Sequence, residues 1–365
     1  MATVEDVKSC LAQVIDPNTG KDFVSSKTVR DVRVVGGEVL LRIELGYPAK
    51  TQHTALTALI SDAVGALPGV TKVEVDLSSK IVAHAVQRGL KPLRSIKNII
   101  AVASGKGGVG KSTTAINLAL ALTAEGARVG ILDADIYGPS LPLMLGIDIA
   151  KTGRPQSADG QTIEPMHAHG LQASSIGFMI DQDQPMVWRG PMATQALQQL
   201  LEQTNWAELD YLIVDMPPGT GDIQLSLSQK VPLTGAVIVT TPQDIALLDA
   251  RKGLRMFEKV GVPILGVVEN MAVHVCSQCG HAEHIFGADG GKQMAQQYNV
   301  DYLGALPLDI AIREQTDSGK PTVVAAPDSA IAKTYCAIAR KVAIHVAEKA
   351  KDMSLKFPTI VVQNT

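Results

Sequence analysis

Cysteine is scarce in this chain of 365 residues, with only Cys10, Cys276, Cys279 and Cys336 present. So few thiols exclude a disulfide-stapled scaffold and fit a reducing, cytoplasmic setting. No uninterrupted apolar run of about 18 residues occurs, so no membrane span is expected. The opening residues, with Glu5 and Asp6, lack the basic start and apolar run of a secretory signal. Net charge is -3. No block of about five or more basic residues stands out, so a nucleic-acid footprint is not expected. Internal repeats and low-complexity tracts are also missing. What remains is 46% hydrophobic and 19% charged, enough to bury a large core. The length suggests one small and one larger domain.

Residues 1–85 read as a small α/β unit. Thr3 and Asp6 form a capping-box-like helix start. Asp16-Pro17-Asn18-Thr19-Gly20 signals a turn. Gly36-Gly37, between apolar runs at 32–35 and 39–45, signals a hairpin. A helix over 51–66 and a strand over 70–77 complete the order α-β-β-α-β. Residues 86–96 read as a linker, with Arg88 and Arg94 open to protease. From 97 to 350 the pattern changes. Near-continuous apolar runs at 99–103, 128–132, 211–214, 236–240 and 264–268 alternate with helix-like stretches. That alternation predicts an α/β domain, a mostly parallel sheet flanked by helices on both faces. Residues 330–349 read as a helix carrying Lys333, Arg340, Lys341 and Lys349, and 351–365 as a tail with a strand-like Thr359-Ile360-Val361-Val362.

The run at 99–103 leads into Ser104-Gly105-Lys106-Gly107-Gly108-Val109-Gly110-Lys111-Ser112-Thr113, which fits a P-loop. Its glycines let several backbone N–H groups face one anion, and the helix opening near Lys111 adds its positive end. ATP is the expected ligand. Lys111 is expected on the β- and γ-phosphates, Ser112 on Mg²⁺, and Thr113 on the α-phosphate. Lys106 is not required by a simple cradle and also reads as a solvated surface lysine.

Three strand ends carry further candidates. Asp133-Ala134-Asp135 places two acids together, which is costly unless a cation or water uses them; Asp133 also reads as a cap. Asp215 ends an apolar strand in the Walker-B manner and is expected to secure Mg²⁺. Gly219 follows in a Pro-Pro-Gly segment read as switch II, near the γ-phosphate, and Asp222 reads as a cap for the next helix. Asn270, after 264–268, reads either as a reader of the adenine edge or as a strand-terminating residue.

Cys276 and Cys279 form a Cys-x-x-Cys pair beside His274, His281 and His284. Two thiolates supply half of a cluster's usual four ligands. Cys10 and Cys336 lack ligand-like spacing and read as core thiols. The missing ligands come most simply from a second copy of the chain, which makes the centre depend on a homodimer. A zinc knuckle from Cys276, Cys279, His281 and His284 and a redox pair are the competing readings.

The pattern Lys-Gly-Gly-x-Gly-Lys-Ser-Thr resembles the deviant Walker A loop of the MinD/ParA class. That resemblance implies that Lys106 reaches a partner's nucleotide, that Asp135 in switch I positions the attacking water, and that Asn270 contacts the base. In order, the loop, Asp133 to Ser140, Val214 to Asp222, Glu269-Asn270-Met271 and Cys276-x-x-Cys279 closely resemble the Mrp/ApbC family of iron–sulfur carrier ATPases. Trp188-Arg189-Gly190-Pro191 also looks like a family segment. The resemblance covers residues 97 to 345. It implies slow ATP hydrolysis, assembly of a [4Fe–4S] cluster, and its transfer to apo iron–sulfur proteins, with no nucleic-acid or membrane partner. The N-terminal unit is similar to SufT/PaaD-like domains, but their Cys-Pro is here Tyr47-Pro48, which points to partner recognition rather than cluster binding. A positioning ATPase of the MinD/ParA type is the alternative.

Overall fold

The computed structural model describes residues 2–84, 86–87, 90–157, 160–180 and 190–356, with side chains described through residue 349. Arg88, Trp188, Arg189 and the strand-like 359–362 stretch lie outside the described residues.

The chain opens with α1 (Val4–Leu11), β1 (Val29–Val35), β2 (Glu38–Leu45), α2 (His53–Gly65) and β3 (Lys72–Ser79). The capping box forms as expected: Thr3 Oγ1 accepts the Asp6 N–H at 3.1 Å, and Asp6 accepts the Thr3 N–H at 2.9 Å. β1 and β2 are antiparallel and turn through Gly36 and Gly37 at φ 60° and 92°. Positive φ at both positions is what a two-residue hairpin with native twist needs. β1 begins at Val29 rather than Val32, because Arg30, Asp31 and Arg33 give its first half a charged, half-exposed character that an apolar count misses. β3 returns parallel to β2.

The larger part follows as β4 (Ile96–Ala103), α3 (Lys111–Ala124), β5 (Val129–Asp133), α4 (Leu141–Met144), α5 (Ile149–Thr152), β6 (Met166–Ala168), β7 (Leu171–Ser175), α6 (Gly190–Gln203), β8 (Leu209–Asp215), α7 (Asp222–Lys230), β9 (Gly235–Thr240), α8 (Asp244–Lys259) and β10 (Ile264–Glu269). A small hairpin, β11 (His274–Val275) with β12 (Ala282–Glu283), precedes α9 (Gly290–Gln297), β13 (Tyr302–Ala305), α10 (Ile310–Asp317), α11 (Thr322–Ala325) and α12 (Ala330–Lys356). The eight-stranded sheet runs β13-β10-β9-β4-β8-β5-β7-β6. Its pairs are parallel except β6 with β7.

Strand order reverses beside β4, because β8 and β5 lie on one side and β9 and β10 on the other. Such a reversal opens a crevice at the strand carboxyl ends. One apolar core lies on the face covered by α3 and α12, the other on the face covered by α6, α7 and α8. α3 is buried on every side from Thr114 to Leu122 and is mostly apolar there.

The first core continues without a break into the N-terminal sheet, joining Val7, Leu11 and Ile43 to Tyr335 and Ile344. At this junction Glu125, which follows the last turn of α3, is fully buried. Its carboxylate accepts the Thr51 N–H at 3.0 Å, the Thr51 hydroxyl at 2.6 Å and an Arg340 guanidinium N–H. Arg340 also donates to Asn18 at 3.1 Å. The N-terminal unit thus sits against the far end of the P-loop helix. Among the described residues, no helix is long and apolar enough to cross a membrane.

Candidate functional site

The P-loop is locked in place by its neighbours. A Cβ at Gly105 would lie 2.1 Å from the Asp249 carbonyl in α8, and one at Gly110 would lie 2.1 Å from Asn270 Nδ2. Gly110 also has φ 79°. Glycine is required at both positions for steric reasons, independent of any ligand. α3 begins directly after Gly110 with no side-chain cap. Its first N–H groups and positive dipole end therefore stay available to an anion. This suits a phosphate, and Ser112 stands half-buried at the same helix start.

Lys111 is buried and paired. Its ammonium donates to Asp215 Oδ1 and to Ser112 Oγ, the latter at 3.1 Å. The three residues proposed for phosphate and Mg²⁺ thus already meet. Asp215 sits at the end of β8 opposite Asp133 of β5. Lys106, by contrast, is exposed on the loop's outer side together with Gly107 and Gly108. The Ser104 hydroxyl donates to the Lys106 carbonyl at 2.9 Å, which fixes the backbone there. Gly219, at φ 96°, donates its N–H to the Ser104 carbonyl at 3.0 Å, placing switch II beside the loop.

The two acids at the end of β5 differ in their surroundings. Asp133 accepts N–H groups from Asp135 at 3.1 Å, Ser140 at 3.1 Å and Leu141 at 3.2 Å, and the Ser175 hydroxyl at 3.2 Å. It takes the capping role and holds the 135–141 loop. Burial, and then the Asp215 charge, push its carboxyl up to about 7. Asp135 is less deeply placed. Burial raises its carboxyl, opposed by the Lys111 charge. Asp135 lines a cavity of about 430 Å³ together with Tyr137, Pro217, Pro218 and Asp222, so switch I and switch II face one space.

Asn270 follows β10 and donates from Nδ2 to the Val109 carbonyl at 2.9 Å. Its amide braces the P-loop, a role that neither reading from the sequence included. The signal available was its position after a strand adjacent to the loop, which strand order alone reveals.

Beyond Asn270 the chain enters the β11–β12 hairpin. The Cys276 N–H donates to the His281 carbonyl at 2.9 Å, and the Gly280 N–H to the Cys276 carbonyl at 2.8 Å. Gly280 supplies the φ of 72° that this tight loop needs. Cys276 is half-buried and Cys279 exposed. Backbone N–H groups of Gln278 and Cys279, and then the Cys279 thiol, lower the pKa of Cys276, favouring a thiolate. His284 is turned away and shares Nδ1 with the Ala272 carbonyl at 2.7 Å. Among the described residues, no group of three Cys, His, Asp or Glu side chains is close enough to hold a metal. The four-residue zinc set is therefore not assembled. Cys336 is buried and Cys10 half-buried, its thiol against the Ala63 carbonyl at 3.4 Å, as core thiols.

Apolar side chains are exposed at Val275 and Ile285 in the segment that carries the cysteines, at Ile245 and Leu248 on α8, and at Ile310. The hairpin is tied to the segment before α10 by His274 Nδ1 and the Leu308 carbonyl at 3.1 Å. The start of α9 packs on Leu247 and Pro242.

Residues 95–343 match the family described as NUBPL iron-transfer P-loop NTPase, and residues 4–76 match that described as iron-sulfur cluster assembly protein. An iron-sulfur cluster carrier protein of Pseudomonas fragi is 60% identical over 277 residues, covering 76% of this chain and 96% of that one. That of Escherichia coli strain K12 is 53% identical over 337 residues, covering 92% and 90%. The mouse iron-sulfur cluster transfer protein NUBPL is 52% identical over 262 residues, covering 70% and 81%. Among solved structures, an Archaeoglobus fulgidus nucleotide-binding protein in complex with ADP is 36% identical with a TM-score of 0.55, covering 62% of this chain and 88% of that one. The cell division ATPase MinD of Pyrococcus furiosus is 25% identical with a TM-score of 0.50, covering 67% and 98%. On the strength of the long family match and of relatives above half identity along nearly the whole chain, this protein belongs to the NUBPL-type iron-transfer P-loop NTPases, with an iron–sulfur cluster assembly domain in front.

Proposed function

We propose that this chain is an ATP-hydrolysing carrier that assembles an iron–sulfur cluster, of the [4Fe–4S] type, between two copies of itself and delivers it to apo iron–sulfur proteins in the cytoplasm. The observation that carries the reading is the Cys276–Cys279 pair: accessible, with Cys276 biased toward thiolate, and with no third ligand nearby among the described residues. A cluster needs about four such ligands, and a second copy supplies the other two. The exposed Val275 and Ile285, in the same segment as the pair, support a contact there, since exposed apolar side chains favour association.

In this reading the P-loop and the start of α3, Gly105 to Thr113, bind the phosphates of ATP. Ser112 and Asp215 hold Mg²⁺, which supplies charge neutralisation at the transferred phosphoryl group. Lys111 leaves Asp215 for the phosphates. Asp135 orients water toward the γ-phosphorus, Gly219 approaches the same phosphate, and exposed Lys106 reaches the partner's nucleotide. Asn270 reads the base from its seat against Val109.

The positioning-ATPase alternative relied on the basic residues of α12 for a surface contact. Three of them are used internally: Arg340 on Glu125, Lys341 on the Leu303 carbonyl at 2.9 Å, and Lys349 on the Ile264 carbonyl at 3.3 Å. Anaerobic reconstitution with iron and sulfide counted per dimer tests the proposal. The expected result is one cluster per dimer, lost in the Cys276→Ser/Cys279→Ser variant while MgATP binding persists. A full cluster in that variant refutes the ligand assignment.

A further inference from the structure

The backbone between the P-loop and the cysteine pair contains a costly joint. Met271, between Asn270 and the β11–β12 hairpin, has φ 56°. For a residue with a Cβ this left-handed conformation is unfavourable. Asn and Asp relieve that cost through a local hydrogen bond, which a methionine side chain does not make. Glycine would take the same φ freely. Backbone geometry therefore gives no reason for methionine at this position.

The side chain gives one. A Cβ built on Gly110 would lie 3.8 Å from Met271 Cε, so the thioether methyl stands beside the glycine that precedes α3. Asn270 donates to the carbonyl of Val109 at 2.9 Å. Residues 270 and 271 thus rest on two successive P-loop residues, immediately before Lys111. On the far side of Met271 the chain is tied residue by residue. The Ala272 N–H donates to the Leu306 carbonyl at 3.0 Å, and the Ala272 carbonyl meets His284 Nδ1 at 2.7 Å. The Val273 carbonyl accepts the Leu308 N–H at 2.8 Å, and His274 and Val275 pair with Glu283 and Ala282. Cys276 follows directly. The strained joint therefore separates a segment held on the P-loop from a segment held on the cysteine hairpin. Strain of this kind gathers at switch regions, where the surrounding structure over-determines it.

We propose that Met271 is a positioning residue that links the nucleotide on the P-loop to the placement of Cys276 and Cys279. Phosphate binding acts at Gly110 and Lys111, because Lys111 leaves Asp215 and the first N–H groups of α3 take up the anion. The Met271 side chain rests on that turn and carries the change through its backbone into the tied hairpin. It acts through the hairpin and is not itself a ligand of the cluster. This inference rests on the carrier reading above and names the path between its two sites.

The test is alkylation of the metal-free, full-length protein by iodoacetamide, with and without saturating MgADP. Mass spectrometry reads the peptide that carries Cys276 and Cys279. MgADP should change the rate at these thiols by about fivefold or more, the lower range of coupling between two sites. Met271→Leu keeps the bulk and the backbone cost and should keep that change. Met271→Ala keeps the backbone cost but loses the contact beside Gly110, and Met271→Gly loses both. Both should still bind MgADP, since no group of the cradle is altered, while their thiol rates respond to it by less than about twofold. A merely structural role for Met271 would lower stability or nucleotide affinity and leave the thiol response intact. A full response in either variant overturns the proposal. So does a parent protein that binds MgADP while its thiol rates stay unchanged, even if it reconstitutes a cluster. A response in the parent that Met271→Ala removes supports the proposal even if no cluster reconstitutes, so the carrier reading can fail separately. A parent that binds no MgADP overturns both.

Discussion

Replacing Lys111 by methionine tests the centre of the site with two separable readouts. Lys111 and Asp215 are buried against each other, with side chains 6% and 5% exposed. Methionine keeps most of the aliphatic stem and removes the charge. Breaking a buried pair by removing one partner costs about 3–5 kcal/mol, because the other charge is left without compensation. Asp215 is left beside a second buried acid, Asp133, which places the loss toward the upper part of that range. The second readout is the nucleotide. For the parent, MgADP at about 100 times its dissociation constant should add about 2.7 kcal/mol of stability. Lys111→Met should gain none. Equilibrium urea unfolding with and without MgADP measures both. The double variant Lys111→Met/Asp215→Asn removes both charges and should recover most of the lost stability without recovering the nucleotide effect. A single variant within about 0.5 kcal/mol of the parent, or one still stabilised by MgADP, refutes the reasoning.

Lys106→Ala should leave MgADP binding intact, because the side chain is exposed and outside the cradle, yet reduce ATP turnover; normal turnover at all protein concentrations would count against a role across the dimer. Glu125→Ala removes the acceptor shared by Thr51 and Arg340 and should cost about 3–5 kcal/mol in urea unfolding, with faster tryptic cleavage in the 86–96 linker. Stability should also depend on pH through Asp133. Its folded carboxyl is raised to about 7, against about 3.9 when unfolded, so protonation favours the folded state. That contribution is complete below about pH 4 and is lost as pH rises through about 7. Urea midpoints across this window should therefore carry a falling component that Asp133→Asn abolishes.

The amino-acid sequence alone determined the features built from neighbours along the chain. The Thr3–Asp6 cap, the Gly36-Gly37 hairpin, the P-loop with its following helix and the apolar strand ending in Asp215 are each read within about ten residues, where backbone geometry and residue type suffice. The Cys276–Cys279 loop belongs with them, since its hydrogen bonds close within the hairpin. Contacts between distant segments were decided only by the tertiary structure. Glu125 and Arg340 are 215 residues apart, and Asn270 lies 161 residues from the carbonyl it braces. Whether His281 and His284 join the cysteines, and whether Asp133 caps a loop or serves a cation, depend on which segments become neighbours. Strand order is a balance of burial over the whole sheet, and no short stretch of sequence contains it.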